Sequence, residues 1–271
     1  MKLQRSERIA AIIKVLSDRP NHVFTFNEFT EMFACAKSTL SEDVDILRNI
    51  MHKLQLGNIE TISGAAGGVK YLPLLGSEQT KKVLKDLCSS LSDSERILPG
   101  GYVYMTDIIY NPYIVQQVGK IFAAAFIHKQ IDYVVTVETK GIPLAMITAR
   151  CLDVPLIIVR RNSKVTEGST VNINYVSASK RTIQTMSLSR RAIKKNANVL
   201  FVDDFMKGGG TATGIIDLMK EFESNVSGIA VFISTKKTKK QFSGDYVSLI
   251  VLNDVNESNR IIDLEAGIKL N

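Results

Sequence analysis

The sequence predicts an α/β chain of two parts: a small α+β domain over residues 1–74 and a larger domain over 75–271 with a mostly parallel sheet. Three observations carry this division. The first 74 residues hold three helical stripes and then two β-like runs. From residue 132 onward, short buried-strand patterns alternate with helical ones, the order of an open parallel sheet. Between them, residues 92–101 are polar and end on Pro99-Gly100-Gly101.

Residues 6–17 place Ile9, Ile12, Ile13 and Leu16 on one stripe, with Ser6 as the predicted N-cap. Pro20-Asn21 ends that helix, and His22-Val23-Phe24 reads as a short strand. Thr25 and Glu28 have capping-box spacing and open a second helix through Phe29, Met32 and Phe33. After the turn Ala34-Cys35-Ala36, Thr39 and Glu42 repeat that spacing, and Leu40, Val44, Leu47 and Met51 form a third stripe. Two helices joined by so short a turn have helix-turn-helix spacing, in which the start of the second helix faces base edges. Here that start carries Lys37, Ser38, Thr39 and Ser41. The β-like runs Ile59–Ser63 and Val69–Pro73 flank Gly64-Ala65-Ala66-Gly67-Gly68, which reads as a hairpin with Lys70 beside its tip. Three helices and a hairpin make a winged helix. Its DNA-facing candidates are Arg5, Arg8, Lys37, Ser38, Thr39, Ser41, Gly67, Gly68 and Lys70.

A helix is predicted at Glu78–Leu91, and another where Ile114, Val118, Ile121, Phe122 and Ala125 share a face. Strand, helix and strand follow at Asp132–Val137, Ile142–Leu152 and Leu156–Val159. Residues 160–187 read as a long basic loop rich in Ser, Thr and Asn, a length that usually serves a function. Val199–Val202 is a buried strand, with further strands at Gly228–Ile233 and Tyr246–Leu252 and a polar turn at Lys236–Lys240.

Composition narrows the function classes. With 271 residues, 45% apolar and 23% charged, the chain is globular in type. It has no apolar run of the roughly 18 residues a membrane span needs. The N-terminus, with Arg5, Glu7, Arg8 and Lys14, does not read as a signal peptide. Three separated cysteines predict reduced thiols in a cytoplasmic protein, and with three histidines no metal site is predicted. Net charge is +7, concentrated in residues 156–196, where nine Lys/Arg face Glu167 alone. That surplus suits a polyanion.

The chemistry centres on Asp203-Asp204-Phe205-Met206-Lys207-Gly208-Gly209-Gly210-Thr211. Two carboxylates after a buried strand offer acceptors to a diol. The glycine turn opening a helix offers N–H groups and a dipole to a phosphate. A ribose 5-phosphate needs both. The segment fits neither a Walker A loop nor a dinucleotide fingerprint, because no Gly-Lys-Ser/Thr follows and Thr213 stands where a third glycine is required. A second turn, Glu138-Thr139-Lys140-Gly141, joins backbone donors to a lysine and suits a diphosphate.

Residues 199–211 resemble the signature of type I phosphoribosyltransferases. That resemblance implies that Asp203 and Asp204 hold the ribose hydroxyls of phosphoribosyl pyrophosphate (PRPP) and that 207–211 wrap its 5-phosphate. It also implies that 138–141 meet the diphosphate, with Mg²⁺, and that 160–187 is the family's flexible loop. Tyr102, Phe205 and Arg160 would border the pocket. Further stretches resemble the purine operon regulators of Gram-positive bacteria: 65–71, Glu95–Tyr104, Lys164–Val171 and Asp203–Lys207. This second resemblance implies a homodimeric transcription regulator that binds double-stranded DNA at purine operators. Its transferase-like site would sense PRPP without catalysis and take guanine nucleotides in the same pocket. Working transferases usually have Ala-Thr-Gly-Gly-Thr where this chain has Lys207-Gly208-Gly209-Gly210-Thr211. The competing expectation is an active purine phosphoribosyltransferase with an accessory N-terminal domain.

Overall fold

The computed structural model describes residues 3–64, 67–162, 166, 168–177, 182–236, 238 and 242–268. Ala65, Ala66, Lys164, Val165, Glu167, Lys237, Lys239, Lys240 and residues 178–181 of the basic loop lie outside them. The chain divides into two compact units, residues 1–77 with 150–153, and residues 78–149 with 154–271. No helix among the described residues is long and apolar enough to cross a membrane.

The first unit is a winged helix. Its elements are α1 (Arg5–Asp18), β1 (Phe24–Thr25), α2 (Phe26–Phe33), α3 (Lys37–Lys53), β2 (Asn58–Ile62) and β3 (Gly68–Leu72). The strands pair antiparallel in the order β1-β3-β2. Ile12, Leu16, Phe29, Phe33, Leu40, Val44, Leu47 and Met51 meet Ile59, Val69 and Tyr71 in one core. Phe29 stacks on Phe33 with ring centres 5.8 Å apart. The Thr25–Glu28 capping box forms as the sequence predicts. The other two helix starts need correction. Gln4, not Ser6, caps α1, in a box closed by Glu7. Helix α3 begins at Lys37 after Ala36, two residues before Thr39, and has no side-chain cap. The strand expected from His22 is confined to Phe24–Thr25.

The second unit opens with α4 (Ser77–Leu91) and a two-residue hairpin of β4 (Ile97–Leu98) and β5 (Tyr102–Val103). Gly100 and Gly101 turn it with φ of 87° and 71°, values that favour glycine. Next come α5 (Thr106–Ile109) and α6 (Pro112–Phe126), whose first turn is capped by the Asn111 side chain. The sheet comprises β6 (Tyr133–Val137), β7 (Leu156–Val159), β10 (Asn198–Met206), β11 (Asn225–Thr235), β12 (Val247–Asn256) and β13 (Ile261–Ala266), with α7 (Gly141–Leu152) and α8 (Gly210–Glu221) as crossovers. Its order is β13-β12-β11-β10-β6-β7. All pairings are parallel except β12 with β13, an antiparallel edge the sequence pattern did not predict.

The basic loop is corrected too. Within 160–187 the chain forms most of a hairpin of β8 (Thr170–Ser177) and β9 (Thr182–Ser189). Val171 and Tyr175 are buried with Met186 and Leu188, and Ile173 packs against the same core, while Asn172 and Asn174 face solvent. This hairpin lies on α8, where Tyr175 and Met186 crowd Gly214 so closely that a Cβ there would meet them at 3.1–3.2 Å. Residues 199–202, read as the whole of the central strand, are its middle. Strand β10 continues through Asp203 and Asp204 to Met206.

Candidate functional site

Strand order places the site. From β6 the chain crosses to β7 on one side; from β10 it crosses to β11 on the other, and β6 and β10 are neighbours. The crevice beyond the carboxyl ends of these two strands is therefore the sheet's topological switch point, where open α/β sheets bind ligands. The turn 138–141 follows β6 and the segment 203–211 ends β10 and opens α8, so the two predicted ligand loops share one crevice.

They meet at Gly141. A Cβ on this residue would lie 2.4 Å from Thr136 Oγ1, a distance only glycine allows, and in tight contact with Asp203 Oδ1 at 3.2 Å, so the start of α7 lies against the end of β10. Asp203 is 9% exposed, and its Oδ1 accepts a hydrogen bond from the Asp204 N–H at 3.0 Å. Burial first, then the neighbouring Asp204 charge, pushes the Asp203 carboxyl well above the usual carboxylate range; Arg161 pulls weakly the other way. Glu138 is engaged: its carboxylate accepts from Arg160 Nη1 at 3.1 Å and from the Arg161 N–H at 2.7 Å. The Glu138–Thr139 peptide is cis.

Beyond Asp204 the chain forms a small cradle of about 60 Å³, lined by Phe201, Asp203, Phe205, Met206 and residues 207–212. Gly209 is the N-cap of α8, with φ of 77° and no side chain to cap the first turn. A Cβ on it would strike the Phe242 ring at 2.7 Å. The first-turn N–H groups and the helix dipole are thus left for an anion. Lys207 joins this cradle to a larger cleft of about 670 Å³, whose walls include Tyr102, Lys140, Arg161 and Phe205. Of the residues predicted for the phosphoribosyl site, Tyr102, Lys140, Asp203, Phe205, Met206, Lys207, Gly208, Gly209, Gly210 and Thr211 line one cavity or the other, and Gly141 abuts Asp203. Arg160 is drawn to Glu138 and pairs through its main chain with Ser187. Its neighbour Arg161, which the sequence reading passed over, lines the cleft. Among the described residues no cluster of three metal-ligating side chains occurs.

In the winged helix, Ser38 and Ser41 are exposed at the start of α3, and Thr39 is half-buried. Lys37 is exposed and holds its ammonium 5.6 Å from the Phe26 ring centre. Arg8 turns inward: its Nε donates to buried Asp43 at 2.8 Å, and its side chain is 11% exposed. Arg5 bonds Asp43 and Glu42 yet stays half exposed. Lys70 donates to Asn21 Oδ1 at 3.1 Å and sits 3.5 Å from Glu60. Gly67 bonds Gly64 across the turn, and Gly68 lies against the Phe24 carbonyl, where a Cβ would come within 2.1 Å.

Comparison with known proteins defines the class. Residues 105–263 match the family described as phosphoribosyl transferase domain, and residues 4–73 the one described as bacterial purine repressor, N-terminal. The chain is 45% identical to the purine biosynthesis transcriptional repressor PurR of Bacillus subtilis, over 98% of this chain and 94% of that one. It is 38% identical to the purine biosynthesis transcriptional activator PurR of Lactococcus lactis, over 98% of both. The chain belongs to the PurR family of purine biosynthesis transcriptional regulators. The adenine phosphoribosyltransferase of Saccharomyces cerevisiae superposes with a TM-score of 0.54 over 62% of this chain and 97% of that one, at 22% identity, a likeness of fold alone.

Proposed function

We propose that the protein is a DNA-binding regulator of purine biosynthesis genes, active as a homodimer, whose operator affinity is set by PRPP held without catalysis at the β6/β10 crevice. The observation that carries this reading is the meeting of Gly141 with Asp203, which brings a diphosphate turn and a ribose-phosphate segment to one place. Asp203, which lines the cradle, and Asp204, the half-buried next residue of β10, would accept from the ribose hydroxyls, residues 207–211 would take the 5-phosphate, and Lys140 with Arg161 would face the diphosphate. Mg²⁺ fits as a partner of the diphosphate rather than of a protein cage, since it keeps waters and takes one or two carboxylates. Tyr102 and Phe205 offer ring faces in the wider cleft, which supports a guanine nucleotide as competitor.

On the DNA side, α3 offers Lys37, Ser38 and Ser41 at its uncapped start. Effector control requires PRPP to bind the DNA-competent and DNA-incompetent states with different affinity. The relatives' names include a repressor and an activator, so the reading extends to control by PRPP and not to its sign.

The test pairs two assays on the full chain. Purine promoter fragments should bind, with an affinity that PRPP and Mg²⁺ change. Asp203→Ala and Asp204→Ala should bind DNA but ignore PRPP. Incubation with PRPP, Mg²⁺ and each purine base should yield no nucleotide. Turnover at enzyme rates would establish the transferase instead, and promoter fragments that fail to bind at low salt would remove the regulator.

A further inference from the structure

We propose that Thr238, acting from behind the phosphate cradle together with Thr235 at the wall of the wider cleft, sets the direction of the cradle's backbone N–H groups. The inference rests on the phosphoribosyl reading of that cradle. Thr238 is fully buried, and its Oγ1 donates to the Met206 carbonyl at 2.6 Å. The same oxygen accepts from the Thr235 N–H at 3.2 Å. Thr235 Oγ1 donates to the Lys207 carbonyl at 2.9 Å, where Thr238 Oγ1 also lies within 3.0 Å. A hydroxyl carries one proton, and this arrangement uses each once: Thr238 for Met206, Thr235 for Lys207.

The consequence follows from peptide geometry. In a planar trans peptide, the carbonyl of one residue and the N–H of the next point in opposite directions. Holding the Met206 carbonyl toward Thr238 directs the Lys207 N–H the other way. Holding the Lys207 carbonyl toward Thr235 does the same for the Gly208 N–H. Lys207 and Gly208 both line the cradle. The chain beyond Thr238 supports the same loop, because the Phe242 N–H donates to the Thr238 carbonyl at 2.9 Å and its ring lies against Gly209. Without the hydroxyls, two carbonyls lose their donors and the planes are free to rotate, presenting carbonyl oxygen where an anion needs N–H. An anion site depends on donors fixed before the ligand arrives.

The experiment measures ribose 5-phosphate binding by calorimetry on the full chain and on Thr238→Val and Thr238→Ser, each checked for a cooperative melt. Val keeps the shape and removes the hydroxyl; Ser keeps the hydroxyl and leaves a methyl-sized gap. Anchoring predicts a Kd raised about tenfold in Thr238→Val, the scale of one lost hydrogen bond to a buried carbonyl, and within about threefold of wild type in Thr238→Ser. A packing role predicts the reverse order. Serine binding more weakly than valine, or both within about twofold of wild type, overturns the inference. Should Thr238→Val fail to fold, Thr235→Val is read by the same criterion against Thr235→Ser, which keeps the bond to the Lys207 carbonyl, because Thr235 also lines the wider cleft. Failure of the wild-type protein to bind ribose 5-phosphate would overturn the phosphoribosyl reading itself.

Discussion

Gly141 and Asp203 stand so close that the smallest side chain on the first would press on the carboxylate of the second, at 3.2 Å, while striking Thr136 Oγ1 at 2.4 Å. Thr136 is fully buried and cannot retreat cheaply. Gly141→Ala is therefore an overpacking change with a local address. It should destabilise the second unit by about 1–3 kcal/mol, the usual cost of extra volume in a packed site. It should also weaken PRPP binding more than that loss explains, because the carboxylate is displaced. Urea unfolding and calorimetry on the same preparation separate the two effects; unchanged PRPP affinity would deny that this approach shapes the site.

Asp203 predicts a trade between stability and binding. Its folded-state pKa lies well above the ordinary 3.8, chiefly through burial. Between those values the folded protein keeps a proton that the unfolded chain has released, so stability falls as pH rises through the window and stays lower above it. Asp203→Asn, uncharged at every pH, should melt higher than wild type at neutral pH and flatten that dependence. PRPP needs the ionised acceptor, so wild-type affinity should climb across the same window while the variant binds weakly throughout. Melting curves and PRPP titrations from pH 5 to 8 provide both readings.

The two arginines and two lysines proposed for DNA are not equivalent in the fold. Lys37 is exposed beside the start of α3, whereas Arg8 is spent on buried Asp43. Lys37→Ala should lower operator affinity and reduce the salt slope by about one unit, the mark of one phosphate contact. Arg8→Ala should leave the slope unchanged and lower the melting temperature of the winged helix, because it leaves the buried Asp43 carboxylate with only its half-exposed partner Arg5. An altered slope in Arg8→Ala would show that the inward pair opens on DNA.

What the sequence could tell depended on how far each signal reached. The Thr25–Glu28 box is a local hydrogen-bond pattern that nothing else contests, and it formed. The same spacing at Thr39–Glu42 was overruled because Leu40 must be buried one turn into the helix, and the extended Ala36 after left-handed Ala34 starts that turn at Lys37. A cap is worth only about 1 kcal/mol, less than a buried leucine. The β8–β9 hairpin was hidden by its composition, although Val171, Ile173 and Tyr175 alternate with Asn172 and Asn174 in a strand's period of two. The two turns were legible because each is continuous in sequence and closes a strand at the same end of one sheet. That β6 and β10 are immediate neighbours was not, because strand order is a property of the whole sheet. Arg160 was the cation named for the pocket; in the fold its side chain bonds Glu138, and its neighbour Arg161 lines the cleft.

That difference supplies the sharpest test of the site. Arg161 lines the wider cleft and lowers the proton affinity of Asp203. Arg161→Ala should therefore act twice. It removes a charge from the diphosphate side, raising the Kd for PRPP by about tenfold, the scale of one charge-assisted hydrogen bond. It also lets the Asp203 carboxyl rise further, so the pH at which affinity climbs should move upward relative to wild type. Arg160→Ala, which breaks the ion pair with Glu138, should move that midpoint less than Arg161→Ala and alter binding through the 138–141 turn. Titrations of both variants across pH resolve the two roles, and a midpoint that shifts for Arg160→Ala but not for Arg161→Ala would reverse the assignment.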